Sequence, residues 1–222
     1  TEGAGGLEYL FGWHTIDGGP AYTALWAYTP AEEHQIFEQF IEAMIERRRR
    51  FPDMHIYHFA PYEPAALKRL MGRYATREDE VDDLLRKQVF VDLYAVTRQG
   101  VRCSVESYSI KRLEDFYDFK RQEALPELGR QKRHFEAMLE GGEGAQAPVE
   151  MRNIVQRYNE DDCVSTWALR QWLEGVRARI VADGTDVPRP VEVLPAESEQ
   201  RHERDQRIHD MRGRLIGGVS PV

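Results

Sequence analysis

The stretch RYNEDDCVSTWALRQWLEG, residues 157–175, sets three acids in a row, Glu160, Asp161 and Asp162, at the start of an amphipathic helical pattern. A helix advances 100° per residue. With Asp162 as the origin, Val155, Tyr158, Thr166, Leu169, Leu173 and Val176 fall within roughly 40° of it at that pitch. This is the stripe that meets a core. Glu160 points the opposite way and Asp161 lies on the flank. One carboxylate and one phenol, four residues apart, are thus expected to face inward. A buried carboxylate needs a counter-charge, which a metal ion or an arginine can supply.

Two further acids occupy suggestive places. Glu63 follows the apolar run MHIYHFA (54–60) and precedes Pro64 at a helix start. Strand ends of this kind are where open α/β sheets bind ligands, although an acid there also suits a helix dipole. Asp92 lies inside FVDLYAVTR, where a capping or ion-pair role competes with metal ligation. His55 and His58 are expected to pack within the strand or hydrogen-bond there.

The elements that must position these groups follow from patterning. LEYLFGW and YTALWAY around DGGP give a β-hairpin over residues 7–28. Thr29, Pro30 and Glu32 spell a capping box, opening a helix whose apolar face is Ile36, Phe37, Phe40, Ile41, Met44 and Ile45. That helix ends in Arg47–Arg50, where cations complement the dipole; a phosphate-binding patch is the lesser reading. MHIYHFA is expected to be a buried strand, PAALKRLMGRY a helix, and 78–98 continuing helix. SYSIKRLEDFYDF gives a short helical piece, 140–150 a loop, and Met151–Ile180 one long helix. Residues 196–215 are charged and poor in apolar positions, as in a linker or exposed helix.

Composition narrows the classes. A chain of 222 residues with 41% hydrophobic and 31% charged residues suits one globular core plus an appendage. No apolar run reaches the roughly 18 residues of a membrane span. The start TEGAGG lacks the features of a secretory leader, and two cysteines without CxxC fit a reducing, cytoplasmic setting. A net charge of −8 argues against a protein that coats nucleic acid non-specifically, while leaving room for a local basic groove.

Taken in order, IYHFAPYEPAALKRL, FVDLYAVTR, ESYSIKRLE and RYNEDDCVSTWAL resemble successive blocks of a bacterial ribonuclease H-like branch. That branch is often described as RecB-like and often precedes a helicase domain in the same chain. The spacing of Tyr158 and Asp162 resembles the last motif of the DEDDy 3′–5′ exonucleases. The resemblance spans about residues 7–175. It implies an α/β fold, a ribonuclease H-like mixed β-sheet flanked by helices, in a domain over residues 1–180. Residues 181–222 would then link to a following domain. It implies two Mg²⁺ or Mn²⁺ ions, held by Asp162, Glu63 and Asp92, with Tyr158, Asp162 and Glu63 as catalytic residues. The substrate would be DNA or RNA, and a helicase domain in the same chain the associated partner.

One motif of that family is missing. Nothing in TEGAGGLEYLFGW matches the D-x-E of its central first strand; Glu8 stands without its aspartate. The expectation is that this strand and its acids lie upstream of Thr1. A catalytically inactive ribonuclease H-like module that binds nucleic acid or braces a motor domain is the competing reading. A purely structural α/β domain whose acids form ion pairs is the third.

Overall fold

The strand β1 (Leu10–Thr15) pairs antiparallel with β2 (Ala21–Trp26), in a register that places Leu10 opposite Trp26. In this computed structural model, residues 6–19, 21–122 and 125–189 are described, together with Arg207 and Met211. The helix α1 (Pro30–Arg50) follows, and Thr29 caps it, its side chain accepting from the Glu32 amide at 3.3 Å. Then come β3 (Ile56–His58), α2 (Tyr62–Tyr74), α3 (Glu78–Arg86), β4 (Phe90–Asp92) and α4 (Leu93–Gly100). After the short α5 (Ile110–Leu113) and a 3₁₀ turn, α6 (Leu125–Glu140) and the long α7 (Val149–Ala182) complete the order.

β3 and β4 are parallel, with His58 opposite Asp92 at their C-terminal ends. The expected helix over 78–98 is therefore a helix, a strand and a second helix. Gln88 breaks it with a φ of +51°. Val89, Phe90 and Val91 then pair and pack as strands rich in β-branched and aromatic residues do. The loop expected at 140–150 includes a 3₁₀ turn at Gly144–Gln146, and α6 was not foreseen.

The chain is mixed α/β, with its strands in two separate two-stranded sheets among the described residues. Phe11 and Trp13 of β1 and Ile56 of β3 pack on one core, built around Phe37, Phe40, Ile41, Leu67, Leu70, Val81 and Leu84. α7 packs against both β1 and β3. Ala27 donates its amide to Tyr9. By strand alternation, Leu10, Gly12 and His14 then turn their backbone groups away from β2. Ile56 likewise donates to Val89, so Tyr57 turns its backbone away from β4. Neither of these two edges has a strand partner among the described residues.

At Gly12, β1 comes close against α7. A Cβ there would overlap the Asn159 side chain and lie 2.5 Å from the Tyr22 hydroxyl. Tyr22 donates to Asn159 at 2.8 Å and Trp26 to Gln156 at 3.1 Å, so the hairpin is tied to α7 by side chains as well as by packing. Glu33 is fully buried in α1, where it accepts from the Glu8 amide, from Arg73 at 2.9 Å and from Tyr74.

The unit Thr1–Pro188 contains all of these elements; Arg189–Val222 forms a second unit, in which Arg207 and Met211 are helical. Most of the charged segment 196–215, and the Gly-rich start with Glu2, lie outside the described residues.

Candidate functional site

At the C-terminal ends of the parallel strands, His58 closes β3 and Asp92 closes β4. Asp92 caps α4: its Oδ1 accepts from the Tyr94 amide and from the Ala60 amide, each at 2.9 Å. The second bond pins the tight β3–α2 turn, where Ala60 takes a φ of +70°. His58 is buried, with Nδ1 2.7 Å from the Ala60 carbonyl and 3.4 Å from Glu63. Burial opposes protonation of that imidazole. The hydrogen bonds to Glu63 and Ala60, with the charges of Glu63 and Asp92, outweigh it and push the pKa above the usual histidine range. Glu63 stands in the first turn of α2, half-exposed.

A second group gathers on α7. Asp162 is partly buried, and its Oδ1 accepts from Arg121 at 2.7 Å. Arg121 also forms a two-pronged pair with Glu114, Nε to Oε2 at 3.1 Å and Nη2 to Oε1 at 2.6 Å. The side chains of Arg121 and Glu114 are only 6% and 8% exposed. Glu114 is held in turn by the Ser165 hydroxyl at 2.9 Å, which also meets Tyr117 at 2.9 Å. Burial pushes the Asp162 carboxyl up from its ordinary value; the charges of Arg121 and Lys111 work against that rise. Tyr158 lies one turn earlier on the same helix. Its hydroxyl accepts from Lys111, whose ammonium sits 4.7 Å from the ring centre, and Arg121 approaches the same ring at 5.5 Å.

The two groups meet electrically at Cys163. Its thiol is pushed up to about 12, first by burial and then by the charges of Asp162, Glu63 and Glu160. Among the described residues, no three of His, Cys, Asp or Glu converge closely enough to hold a metal ion. Carboxylates are the hard oxygen donors that Mg²⁺ and Mn²⁺ take. Glu63, Asp92 and Asp162 thus suit such an ion by chemistry but do not by themselves make a coordination set.

One facing assignment needs correction. Asp161, placed on the flank by helical pitch, is 2% exposed. It accepts from the Gln122 amide at 3.0 Å and from the Gln122 side chain at 3.1 Å, anchoring the segment that delivers Arg121. α7 is packed by β1, α6, β3, α4 and α5, so more than one of its faces is buried. A single-stripe projection cannot show that. Lys111, Glu114 and Arg121 were not singled out from sequence. Lys111 and Glu114 stand in the ESYSIKRLE block, so the block marked the place without marking the roles.

The arginine run of α1 is drawn into ion pairs. Arg47 meets Asp17, Arg48 meets Asp83 at 2.9 Å and Arg49 meets Glu46 at 3.3 Å, while Arg47 and Arg50 flank the Phe51 ring. No described helix is long and apolar enough to cross a membrane.

The family model described as RNase_H superfamily matches residues 1–174. The chain belongs to the ribonuclease H superfamily. Its members are typically nucleases that use divalent metals, which places this ribonuclease H-like domain in the nucleic-acid-processing class. No curated protein and no solved structure matches the chain significantly.

Proposed function

We propose that this ribonuclease H-like domain is a metal-dependent nuclease of the DEDDy type, removing nucleotides from the 3′ end of DNA or RNA. It would work within a larger nucleic-acid-processing protein that carries a helicase domain. The observation that supports this best is the pairing of Tyr158 and Asp162 one turn apart on α7, with the charges of Asp162 and Glu63 both reaching Cys163.

Asp162, Glu63 and Asp92 would hold the ions, with further ligands supplied by the D-x-E motif on a strand outside the described residues. Divalent ions, when bound, would acidify the attacking water and stabilise charge on the phosphate and leaving oxygen. Tyr158 would orient that water through its hydroxyl. Arg121 would hold the Asp162 carboxylate in one rotamer, so that Oδ2 turns toward an ion without a cost of reorganisation.

The test is digestion of end-labelled DNA and RNA by the full-length protein. With Mn²⁺, products should shorten stepwise from the 3′ end; with EDTA, or with Asp162→Asn, they should not. The ion pair between Arg121 and Asp162 gives weight to a second reading, an inactive module that binds nucleic acid. Retention of the oligonucleotide without any Mn²⁺-dependent cleavage would establish that reading instead.

A further inference from the structure

We propose that Lys111 is a phosphate-binding residue, its ammonium taking a phosphodiester oxygen of nucleic acid bound beside the Tyr158 hydroxyl. The proposal rests on the nucleic-acid reading above and adds a contact that the superfamily match does not assign.

Two cations lie over the Tyr158 ring, and their bonding separates them. Arg121 is nearly buried, with Nε and Nη2 donating to Glu114 and Asp162 and Nη1 buried without a hydrogen-bond partner among the described residues, so a ligand cannot reach it freely. Lys111 is half-buried and has three donors. One goes to the Tyr158 hydroxyl, and among the described residues no carboxylate lies within ion-pair distance of the ammonium. Its other donors remain open to water or to an anion at this partly exposed position. A lysine meets a phosphate as a compact point charge with rotatable donors.

The backbone beneath Lys111 is also fixed. Ser109 accepts amides from Arg112 and Leu113, and Leu113 is fully buried against Leu93 and Leu169. Packing therefore delivers the side chain to Tyr158 before any ligand arrives. Its charge reaches Asp162 as well, where it favours the carboxylate. An anion docking on Lys111 would lie beside the acid and the phenol that the hydrolytic reading assigns to catalysis.

Binding of a labelled twelve-nucleotide single strand to the full-length protein, without divalent ions, tests the proposal independently of turnover. Lys111→Met should weaken binding about tenfold and reduce the slope of log affinity against log salt by roughly 0.7, the loss of one phosphate contact to a single strand. Lys111→Arg should restore most of the affinity. Lys68→Met, at an exposed position on α2, should match wild type. Lys111→Gln keeps a hydrogen bond to the phenol without the charge, and should show the same smaller slope as Lys111→Met. Wild-type affinity and slope in Lys111→Gln would overturn the proposal and make Lys111 a packing residue for the ring. Failure of the wild-type protein to bind any strand would instead overturn the nucleic-acid reading on which it rests.

Discussion

Arg121 donates to Asp162 at 2.7 Å while its fork is filled by buried Glu114. The guanidinium serves two acids at once, and a net negative charge remains among the three. Glu114 is the better buried of the two carboxylates, so it suffers most if the cation leaves.

Arg121→Met should therefore cost about 3 kcal/mol of stability or more, the usual result of stranding one member of a buried pair. Adding Glu114→Gln should recover part of that loss, because the stranded charge goes with it. Urea unfolding of the three variants checks both statements. Additive losses would mean that the two residues do not act as a pair.

Tyr158→Phe should leave the fold intact, since the ring keeps its contacts with Lys111 and Arg121. Hydrolysis by the full-length protein should slow about 100-fold or more, as expected when a group that positions a proton transfer is removed. Unchanged turnover would reduce the tyrosine to packing.

Gly12→Ala should destabilise by about 1–3 kcal/mol, the range for forcing an extra methyl into a packed interface. The added carbon overlaps Asn159 and crowds Tyr22. Pairing it with Asn159→Ala should relieve much of the cost. Thermal melts of the single and double variants decide the matter.

Tyr74 governs behaviour at high pH. Burial, then its hydrogen bond to Glu33 and the charge of that acid, push its phenol up to about 12. A phenol raised on folding lends stability that is complete below pH 10 and is lost as pH rises from 10 toward 12. Tyr74→Phe should be less stable than wild type at pH 7 and should lose less between pH 10 and 12. Parallel slopes in the two proteins would show that Glu33 does not hold the phenol neutral.

The edges of β1 and β3 that lack a strand partner among the described residues lead to a further expectation. A strand from residues outside those described here should pair with both, bringing the D-x-E acids toward Asp162 and Glu63. Extending residues 1–222 by about fifteen encoded upstream residues should raise the melting temperature and make it respond to Mn²⁺, because a ligand that binds only the folded state stabilises it. Identical melting and identical metal response in the short and long forms would overturn that expectation.

Local rules carried the sequence reading furthest. The Thr29–Pro30–Glu32 box opened α1 where expected; of the expected stripe on α7, Val155, Thr166 and Leu169 are buried while Tyr158, Asp162, Leu173 and Val176 are half-buried. What escaped was set by distant partners. Asp161 is buried because Gln122 comes to it, and Glu33 because Glu8, Arg73 and Tyr74 do. Strand β4 looked helical because Asp92 and Leu93 begin α4 immediately, leaving three strand residues to signal against two flanking helices. Only the pairing with β3 decides their conformation.

The ties between the hairpin and α7 have a cost in time. Tyr22 waits for Asn159, 137 positions later, and Trp26 for Gln156, 130 positions later. At synthesis rates of about 5–20 residues per second, the hairpin leaves the ribosome roughly 7–27 s before its helix. Through that interval Phe11 and Trp13 can find cover on the core of α1, α2 and α3, while Tyr22 and Trp26 lack their α7 partners. Closing so long a loop is slow compared with forming the hairpin or any one helix. The nascent chain is thus a ready client for chaperones that hold aromatic segments, and truncations within α7 should accumulate as aggregates while truncations beyond Pro188 should not.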